Sequence, residues 1–323
     1  MAVGFTLAGC GLLESPATTL TPRSDFGWTS HRIFIQILRW DTAIFLVVQV
    51  LLLVTVWRFR ERDPKAIPRQ VRGNAILEIA WTLIPAVILT FIAFPTVAAI
   101  FRAQATPAKD ALRVKVIGHQ WWWEFQYPDL GVTTASDLHL PAGRPVSIEI
   151  ASTDVIHSFW IPQLGGKRDA IPGTVTRIAL TADMPGEYYG QCAEFCGASH
   201  ANMRHLAIVD APEAFAAWVA RQKEPALTPP TGSPAAAGLQ VYQASTCVGC
   251  HTVRGVSEGG IGPDLTHFGS RRTLAGGILP NTPEHLARWI RHAPSLKPGS
   301  LMPDQKLSDP EVTALVAYLQ SLR

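Results

Sequence analysis

Four of the five cysteines in this 323-residue chain fall into two close pairs. The second pair, Cys247 and Cys250, is followed directly by His251, which gives the C-x-x-C-H spacing of covalent c-type haem attachment. In such a site each thiol adds to a haem vinyl group and the histidine is placed to ligate the iron. A redox-active dithiol is the alternative, and the adjacent histidine argues against it. The spacing therefore predicts a covalently bound haem c.

The first pair stands among other side chains that bind metals. The twelve residues 192–203 include Cys192, Glu194, Cys196, His200 and Met203. Two thiolates with an imidazole and a thioether favour copper, because soft sulfur ligands suit that metal. A closed zinc site of two cysteines and two histidines is the alternative. The thioether and the nearby haem motif argue against zinc.

Both predicted centres need a further ligand from elsewhere in the chain. His157, at the end of a predicted strand, supplies the second imidazole that a pair of metal ions requires. Met302 is the one methionine within residues 238–323, and histidine–methionine ligation raises the reduction potential of a haem. The alternative axial ligands are the other histidines of that segment, His267, His285 and His292.

Composition restricts the class of protein. Only 16% of the residues are charged, which is low for a fully soluble chain. The formal net charge is +3 and no basic run is interleaved with aromatic residues, so nucleic-acid binding is excluded. Five cysteines are too few for a disulfide scaffold.

Two apolar stretches, residues 37–59 and 75–101, are each long enough to cross a hydrocarbon core of about 30 Å. Residues 58–72 between them carry six basic and two acidic side chains. By the positive-inside rule that loop is cytoplasmic, and both termini are outside. Two buried core helices of a soluble protein are the alternative.

Short alternating segments separated by glycine and proline predict an antiparallel sandwich or barrel after the second stretch. A helix is expected to follow up to about Lys223, with Asp210 as its N-cap. The strands are expected at residues 113–117, 121–127, 146–150, 175–180 and 205–209.

A proline-rich segment, residues 224–237, predicts an extended tether to the carboxyl-terminal segment. Helices are expected to open at Thr282 and Ser308 in that segment. Gly238 and Tyr242 are expected to pack against Tyr318.

The chain resembles subunit II of haem-copper cytochrome c oxidases, in the form with a fused cytochrome c domain. The resemblance covers residues 30–210 and 238–323 and is carried by the cysteine motifs above together with residues 81–86, 118–123, 154–162 and 167–173. It implies a multidomain membrane protein with a two-helix transmembrane hairpin, an all-β cupredoxin-like Greek-key domain and an all-α class I cytochrome c domain. The implied parts are an N-terminal segment 1–30, the hairpin 31–105, the cupredoxin-like domain 106–223, the linker 224–237 and the cytochrome c domain 238–323.

The resemblance also assigns roles to single residues. It implies a binuclear copper centre, CuA, with Cys192 and Cys196 as bridging thiolates and one copper ligand each from His157 and His200. Met203 is implied as a weak ligand. The remaining implied copper ligand is the backbone carbonyl of Glu194, whose side chain would serve a magnesium site shared with subunit I.

Two further positions match family residues outside the metal ligands. Trp121 matches the tryptophan through which electrons enter, and plain packing of the ring is the alternative. Glu78 matches a proton-entry carboxylate, and a solvated boundary residue is the alternative. Arg168 and Thr174 depart from the family pattern, which leaves the detailed contact with subunit I in doubt.

The function implied is that of subunit II in a proton-pumping terminal oxidase, with the oxygen-reducing site on subunit I. The implied partners are subunits I and III, a cytochrome c or another electron donor, and membrane lipids. The chain would lie in a bacterial plasma membrane, with both redox domains on the periplasmic side. The alternative is a stand-alone electron-transfer or copper-carrying protein, and Glu78 and Glu194 would distinguish the two because both make sense mainly against subunit I.

Residues 7–10, Leu-Ala-Gly-Cys, have the form of a lipoprotein processing site. The stretch before them is short and lacks a basic region, unlike a normal signal peptide. Cys10 is therefore either lipidated or a free thiol.

Overall fold

The computed structural model describes residues 15–61, 73–103 and 108–323. They divide into two compact units, one of Trp28–Ala105 and one of Met1–Gly27 with Thr106–Arg323. Cys10 lies outside the described residues, as does most of the basic loop that follows the first apolar stretch.

The two apolar stretches form the long helices α1, Asp25–Arg58, and α2, Ala75–Ala103. They contain 34 and 29 residues, so at about 1.5 Å per residue each exceeds the thickness of a hydrocarbon core. None of the residues in the apolar window of either helix is buried. That exposure is the opposite of what the buried-core alternative requires.

A hydrogen bond joins α1 to α2. The amide of Gln36 donates a hydrogen bond of 3.0 Å to the backbone carbonyl of Phe91. Pro95, four residues later inside α2, has no N–H to offer that carbonyl. Gln36 therefore satisfies a backbone acceptor that the proline leaves open, which matters most where water is absent.

Ten strands make up the sandwich domain, residues 108–223. Their bounds are β1 Leu112–His119, β2 Trp122–Tyr127, β3 Val132–Ala135, β4 Asp137–Pro141, β5 Pro145–Ser152, β6 His157–Trp160, β7 Arg168–Ala170, β8 Thr176–Thr181, β9 Gly186–Cys192 and β10 Arg204–Asp210. One sheet has the order β3-β2-β1-β5-β8 and the other β4-β10-β9-β6-β7. The five strands expected from the sequence are confirmed.

Two strand pairs differ from the expected antiparallel pattern. β1 pairs with β5 in parallel, and β4 pairs with β10 in parallel. Parallel neighbours need a long crossover, and the intervening strands supply one in each case. The expected antiparallel pairing was wrong for these two pairs, because alternation within a strand carries no information about its partner.

The core between the sheets is aromatic. Along β2 the side chains alternate, so that Trp123, Phe125 and Tyr127 are buried while their neighbours are half-exposed. The Tyr127 hydroxyl donates to the His139 carbonyl at 2.8 Å and accepts from the His139 N–H at 2.9 Å. This large buried surface gives the domain a rigid frame for the loops at its end.

Helix α3, Pro212–Lys223, follows the last strand as expected, but its cap differs. The residue at the N-cap is Ala211, with no side-chain cap, and the predicted cap Asp210 ends β10 instead. The Asp210 carboxylate accepts a hydrogen bond of 2.7 Å from the His139 ring. The prediction of Asp210 as N-cap was wrong because this tertiary contact takes the carboxylate.

The helical module, residues 234–323, holds the second cysteine pair. Its helices are α4 Pro234–Ala244, α5 Cys247–Cys250, α6 Pro283–Leu296 and α7 Asp309–Ser321, and its short ribbons are β11 Thr252–Val253 with β12 Ser257–Glu258 and β13 Thr273–Leu274 with β14 Leu279–Pro280. α4 packs on α7, where a Cβ on Gly238 would lie 2.0 Å from the Ala314 carbonyl oxygen. The rings of Tyr242 and Tyr318 are 5.5 Å apart, which confirms the predicted packing.

The predicted helix starts in this module are confirmed. The Thr282 hydroxyl accepts from the His285 N–H at the start of α6. Ser308 and Glu311 form a reciprocal capping box at the start of α7.

Candidate copper and haem sites

The candidate copper site lies at one end of the sandwich domain. β6 begins at His157 and β9 ends at Cys192. The loop from 193 to 203 leaves β9, makes a short 3₁₀ turn at His200–Asn202 and enters β10. The Cys192 N–H donates to the Met203 carbonyl at 2.9 Å, which closes the loop across its base.

The loop brings the predicted donor atoms together. The sulfur atoms of Cys192 and Cys196 are 3.8 Å apart. Nδ1 of His157 lies 4.0 Å from the Cys192 sulfur, and Nδ1 of His200 lies 3.6 Å from the Cys196 sulfur. The thioether of Met203 is 3.8 Å from the Cys196 sulfur. Each imidazole therefore stands beside a different thiol.

Glu194 presents two groups in different surroundings. Its backbone carbonyl is 3.3 Å from the Cys192 sulfur, whereas its carboxylate is half-exposed and lies 3.7 Å from the Lys167 ammonium. The carbonyl is therefore available to the candidate copper site. The carboxylate is available to a group outside it.

Electrostatics favour a thiolate at Cys192. The hydrogen bond with Cys196 lowers the pKa of Cys192, with burial opposing and His157 adding to the effect. Burial alone would lower the pKa of His157, but hydrogen bonds with Cys192 and Asp154 outweigh it and raise that pKa. A thiolate beside an oriented imidazole is a ready ligand for a soft metal.

Asp154 is a site residue that the sequence reasoning missed. Its carboxylate lies 2.7 Å from Nε2 of the fully buried His157 and also accepts from the Gln120 and Val155 N–H groups, at 2.6 Å each. It therefore fixes the ring so that Nδ1 points to the thiols. Its position three residues before the histidine is the signal that was available.

The donor set fits copper. The buried ligand atoms of His157, Cys192 and Cys196 all lie within 4.8 Å of one another, and the thioether of Met203 adjoins them. Two thiols between two imidazoles offer enough ligands for two ions, whereas a single zinc ion would leave the thioether without a role.

The candidate haem site is a cavity of about 170 Å³. Cys247, Cys250, His251 and Met302 all line it, together with apolar side chains of α6 and α7. Nδ1 of His251 lies 2.8 Å from the Pro263 carbonyl oxygen, so that Nε2 is left with its lone pair for iron. The cavity thus has two attachment thiols and two candidate axial ligands.

The competing histidines are placed elsewhere. Among the described residues that line the cavity, none is His267, His285 or His292. His267 Nε2 lies 3.0 Å from the Glu224 carbonyl, and His285 caps α6 with Thr282. The structure therefore favours Met302 over these alternatives.

Trp121 touches both sites. Its indole N–H donates to the Cys196 carbonyl at 2.9 Å, and its ring lines the haem cavity. The helical module covers it, so that only 8% of the residue is exposed. At Gly299, where φ is +84°, a Cβ would lie 2.4 Å from the ring.

Glu78 belongs to the helical hairpin of α1 and α2. It lies in the first turn of α2 and is exposed. An acidic side chain there stabilises the helix start through the macrodipole, which agrees with the boundary-residue alternative.

Comparisons with known proteins agree along the chain. The family models that match describe the cytochrome c oxidase subunit II transmembrane domain over residues 28–99, its periplasmic domain over residues 132–210, and cytochrome c over residues 235–323.

Relatives match over nearly the full length. Cytochrome c oxidase subunit 2 of Alkalihalophilus pseudofirmus is 38% identical, with 98% of this chain and 94% of the relative covered. The same subunit of Bacillus subtilis is 32% identical, with 99% and 95% covered. Among solved structures, the periplasmic domain of cytochrome oxidase subunit II from Bradyrhizobium japonicum is 32% identical, covers 36% of this chain and 97% of its own, and has a TM-score of 0.35.

Proposed function

Because this chain belongs to the cytochrome c oxidase subunit II family, we propose that it relays electrons from its own helical module to subunit I of a proton-pumping oxidase. It is a membrane protein with a two-pass hairpin, and copper and haem are the cofactors that its domains imply. The observation that carries the relay is Trp121, which contacts the candidate copper site and lines the haem cavity.

Our assignment for the copper site is a binuclear centre held by the loop from 192 to 203 and His157. Cys192, Cys196, His157 and His200 would hold two copper ions, with Met203 as a weak ligand and the backbone carbonyl of Glu194 as the last one. When bound, a copper pair bridged by thiolates exchanges one electron with little change in bond length. Asp154 keeps the His157 ring in position through its 2.7 Å hydrogen bond.

In the helical module, Cys247 and Cys250 would hold haem c covalently. His251 is oriented by the Pro263 carbonyl so that Nε2 could ligate the haem iron, and Met302 would supply the other protein ligand. Such a pair raises the reduction potential relative to two histidines, which suits a donor to an oxygen-reducing enzyme.

Trp121 supports a direct connection between the sites. Its N–H binds the carbonyl of Cys196, and its ring forms part of the haem cavity wall. An electron that leaves the cavity therefore meets one aromatic ring and one hydrogen bond before it reaches a thiol of the candidate copper site. We assign Trp121 as the residue of electron entry.

The remaining assignments concern the surroundings. The half-exposed Glu194 carboxylate would serve a magnesium site shared with subunit I, and Glu78 would deliver protons to that subunit. Subunits I and III, a cytochrome c or similar donor, and membrane lipids would be the partners. The redox domains would face the periplasm of a bacterial cell, with Cys10 as the site of lipidation.

Flash reduction of haem c in the purified complex tests the relay, with CuA followed at its near-infrared band. We expect a rate that does not change with protein concentration and depends only weakly on salt, because donor and acceptor are on one chain. Docking of a separate donor would instead slow steeply with ionic strength. A rate proportional to protein concentration would show that the tethered relay is wrong.

A further inference from the structure

We propose that Lys297 and Asp137 form a latch that holds the helical module on the sandwich domain and keeps Trp121 covered. Both act as positioning residues for electron transfer between the two sites. That second role rests on the proposed function, whereas the latch itself depends only on contacts within the chain.

Lys297 ties three segments together at the end of α6. It is only 3% exposed, and its ammonium donates to the carbonyls of Trp121 at 2.5 Å and Ala275 at 2.7 Å. Trp121 belongs to the sandwich domain and Ala275 to the ribbon of β13 and β14. A buried lysine is costly unless its hydrogen bonds are satisfied, and here one of its two acceptors comes from the other domain.

Asp137 makes the reciprocal contact from the sandwich domain. It is 2% exposed, at the start of β4. Its carboxylate accepts from the Thr273 hydroxyl at 2.6 Å and from the Arg272 N–H at 2.5 Å. Both donors belong to the helical module. If the module moved away, a carboxylate that is now buried and paired would lose both partners.

The ribbon loop between β13 and β14 fits closely at this contact. At Gly276, where φ is +72°, a Cβ would lie 2.4 Å from the Lys297 nitrogen and 2.7 Å from the Trp121 carbonyl oxygen. The Gly276 carbonyl accepts from the Arg204 N–H at 2.9 Å. Arg204 directly follows the candidate ligand Met203, so the latch is continuous with the base of the copper loop.

A further hydrogen bond lies on the other side of the copper loop. The buried Ser199 hydroxyl donates to the Pro298 carbonyl at 2.7 Å. Ser199 precedes the candidate ligand His200, and Pro298 follows Lys297. Contacts at both ends of the 3₁₀ turn therefore fix the module relative to the site.

The linker makes a latch necessary. The expected linker 224–237 is shorter in the structure, because α4 already begins at Pro234. Residues 224–233 would reach about 30 Å if fully extended as polyproline, so the covalent connection alone allows many positions of the module. The latch selects one of them, with Trp121 between the two sites. An external donor protein cannot touch Trp121 while the latch is closed, and it must deliver its electron to the module.

Hydrogen exchange of the full chain in its purified complex tests the latch. Lys297→Met and Asp137→Asn should raise the exchange rate of the Arg204 and Arg272 amides by about ten-fold, because each variant removes buried interdomain hydrogen bonds. Amides within β1 and α7 should keep their protection. The controls Lys306→Met and Asp304→Asn change exposed residues of the same module and should leave all four regions unchanged.

The outcomes separate the latch from the relay. Unchanged exchange at Arg204 and Arg272 in both latch variants overturns the latch, whatever the rate of electron transfer. Faster exchange with an unchanged flash-reduction rate overturns the positioning role. A wild-type chain with protected amides but no intramolecular transfer refutes the relay and leaves the latch standing. If a variant fails to fold, hydrogen exchange of the wild-type chain still tests the latch. Wild-type amides of Arg204 and Arg272 that exchange as fast as those of exposed loops would contradict the proposal.

Discussion

The two cysteine pairs occupy opposite kinds of surroundings. Cys192 and Cys196 are buried, and their candidate partner atoms already stand within 4.0 Å. Cys247 and Cys250 are half-buried and line a cavity of about 170 Å³. In the first case the folded sandwich domain already places the ligand atoms close enough together to bind small ions. In the second the thiols line a cavity together with apolar side chains, which suits a large apolar group.

This difference follows from what holds each region together. The copper loop is anchored where β9 and β10 pair next to each other, over a core rich in buried aromatic side chains. The helical module has a smaller core, centred on α4 and α7, and the haem cavity opens into it. We therefore expect the sandwich domain to fold independently of copper and the helical module to depend on haem.

The strongest test replaces both attachment thiols, Cys247→Ser with Cys250→Ser. Covalent haem should be lost completely, because thioethers cannot form, and protection of α7 amides should fall as the cavity loses its filling. The copper band and the protection of β1 should remain. Acid-acetone extraction, absorption spectra and hydrogen exchange measure the three effects. If a well-expressed double variant loses both centres, the two regions are not independent.

The second test changes a residue that orients a candidate copper ligand without being a ligand itself. Asp154→Asn removes the charge that orients His157 at 2.7 Å, and loss of such a partner typically lowers metal affinity by roughly 10- to 100-fold. Copper competition with a chelator measures it. The matched control is Asp110→Asn, at an exposed position of the same domain, which should bind copper as the wild type does. Equal affinity in the two variants would show that His157 needs no orientation.

A milder test changes the thioether. Met203→Leu conserves volume at a fully buried position, so the free energy of unfolding should fall by less than about 1.5 kcal/mol. Copper should remain bound through the thiols, while its absorption spectrum shifts and electron entry slows. Met184→Leu, at an exposed methionine, should alter neither. A copper content near zero in Met203→Leu would mean that the thioether holds the metal.

These regions also differ in how far the sequence predicts them. Motif spacing along the chain placed Cys192, Cys196, His200 and Met203 in one loop, and the structure brings their donor atoms together. Long apolar stretches predicted the two long helices, and short-range alternation predicted five strands. All of these signals are local in the chain, where spacing dictates geometry.

The features that were missed depend on partners far along the chain. Asp210 was expected as a helix cap, but it binds His139, which is 71 positions away. The contact of Asp137 with Thr273 joins residues 136 positions apart. A carboxylate looks the same in the sequence whether it caps a helix, meets another domain or stays in water. Only tertiary packing decides between these uses.

The smallest expected effect is a pH dependence of the contact between the two regions. Burial lowers the pKa of Lys297 from its ordinary value of 10.5 to about 7, with the neighbouring Cys196 opposing. With the module undocked, the lysine would return toward its ordinary pKa, so between pH 7 and 10.5 the undocked form binds more protons. The docked form must therefore gain stability as pH rises through that window, and it should show no such trend below pH 7.

An uncharged amine still has two N–H groups for the two carbonyls. Protection of the Arg204 amide, corrected for intrinsic exchange, should rise from pH 7 to 9, and Lys297→Met should abolish the rise. Protection that falls with pH in the wild type would contradict burial of this lysine at the contact.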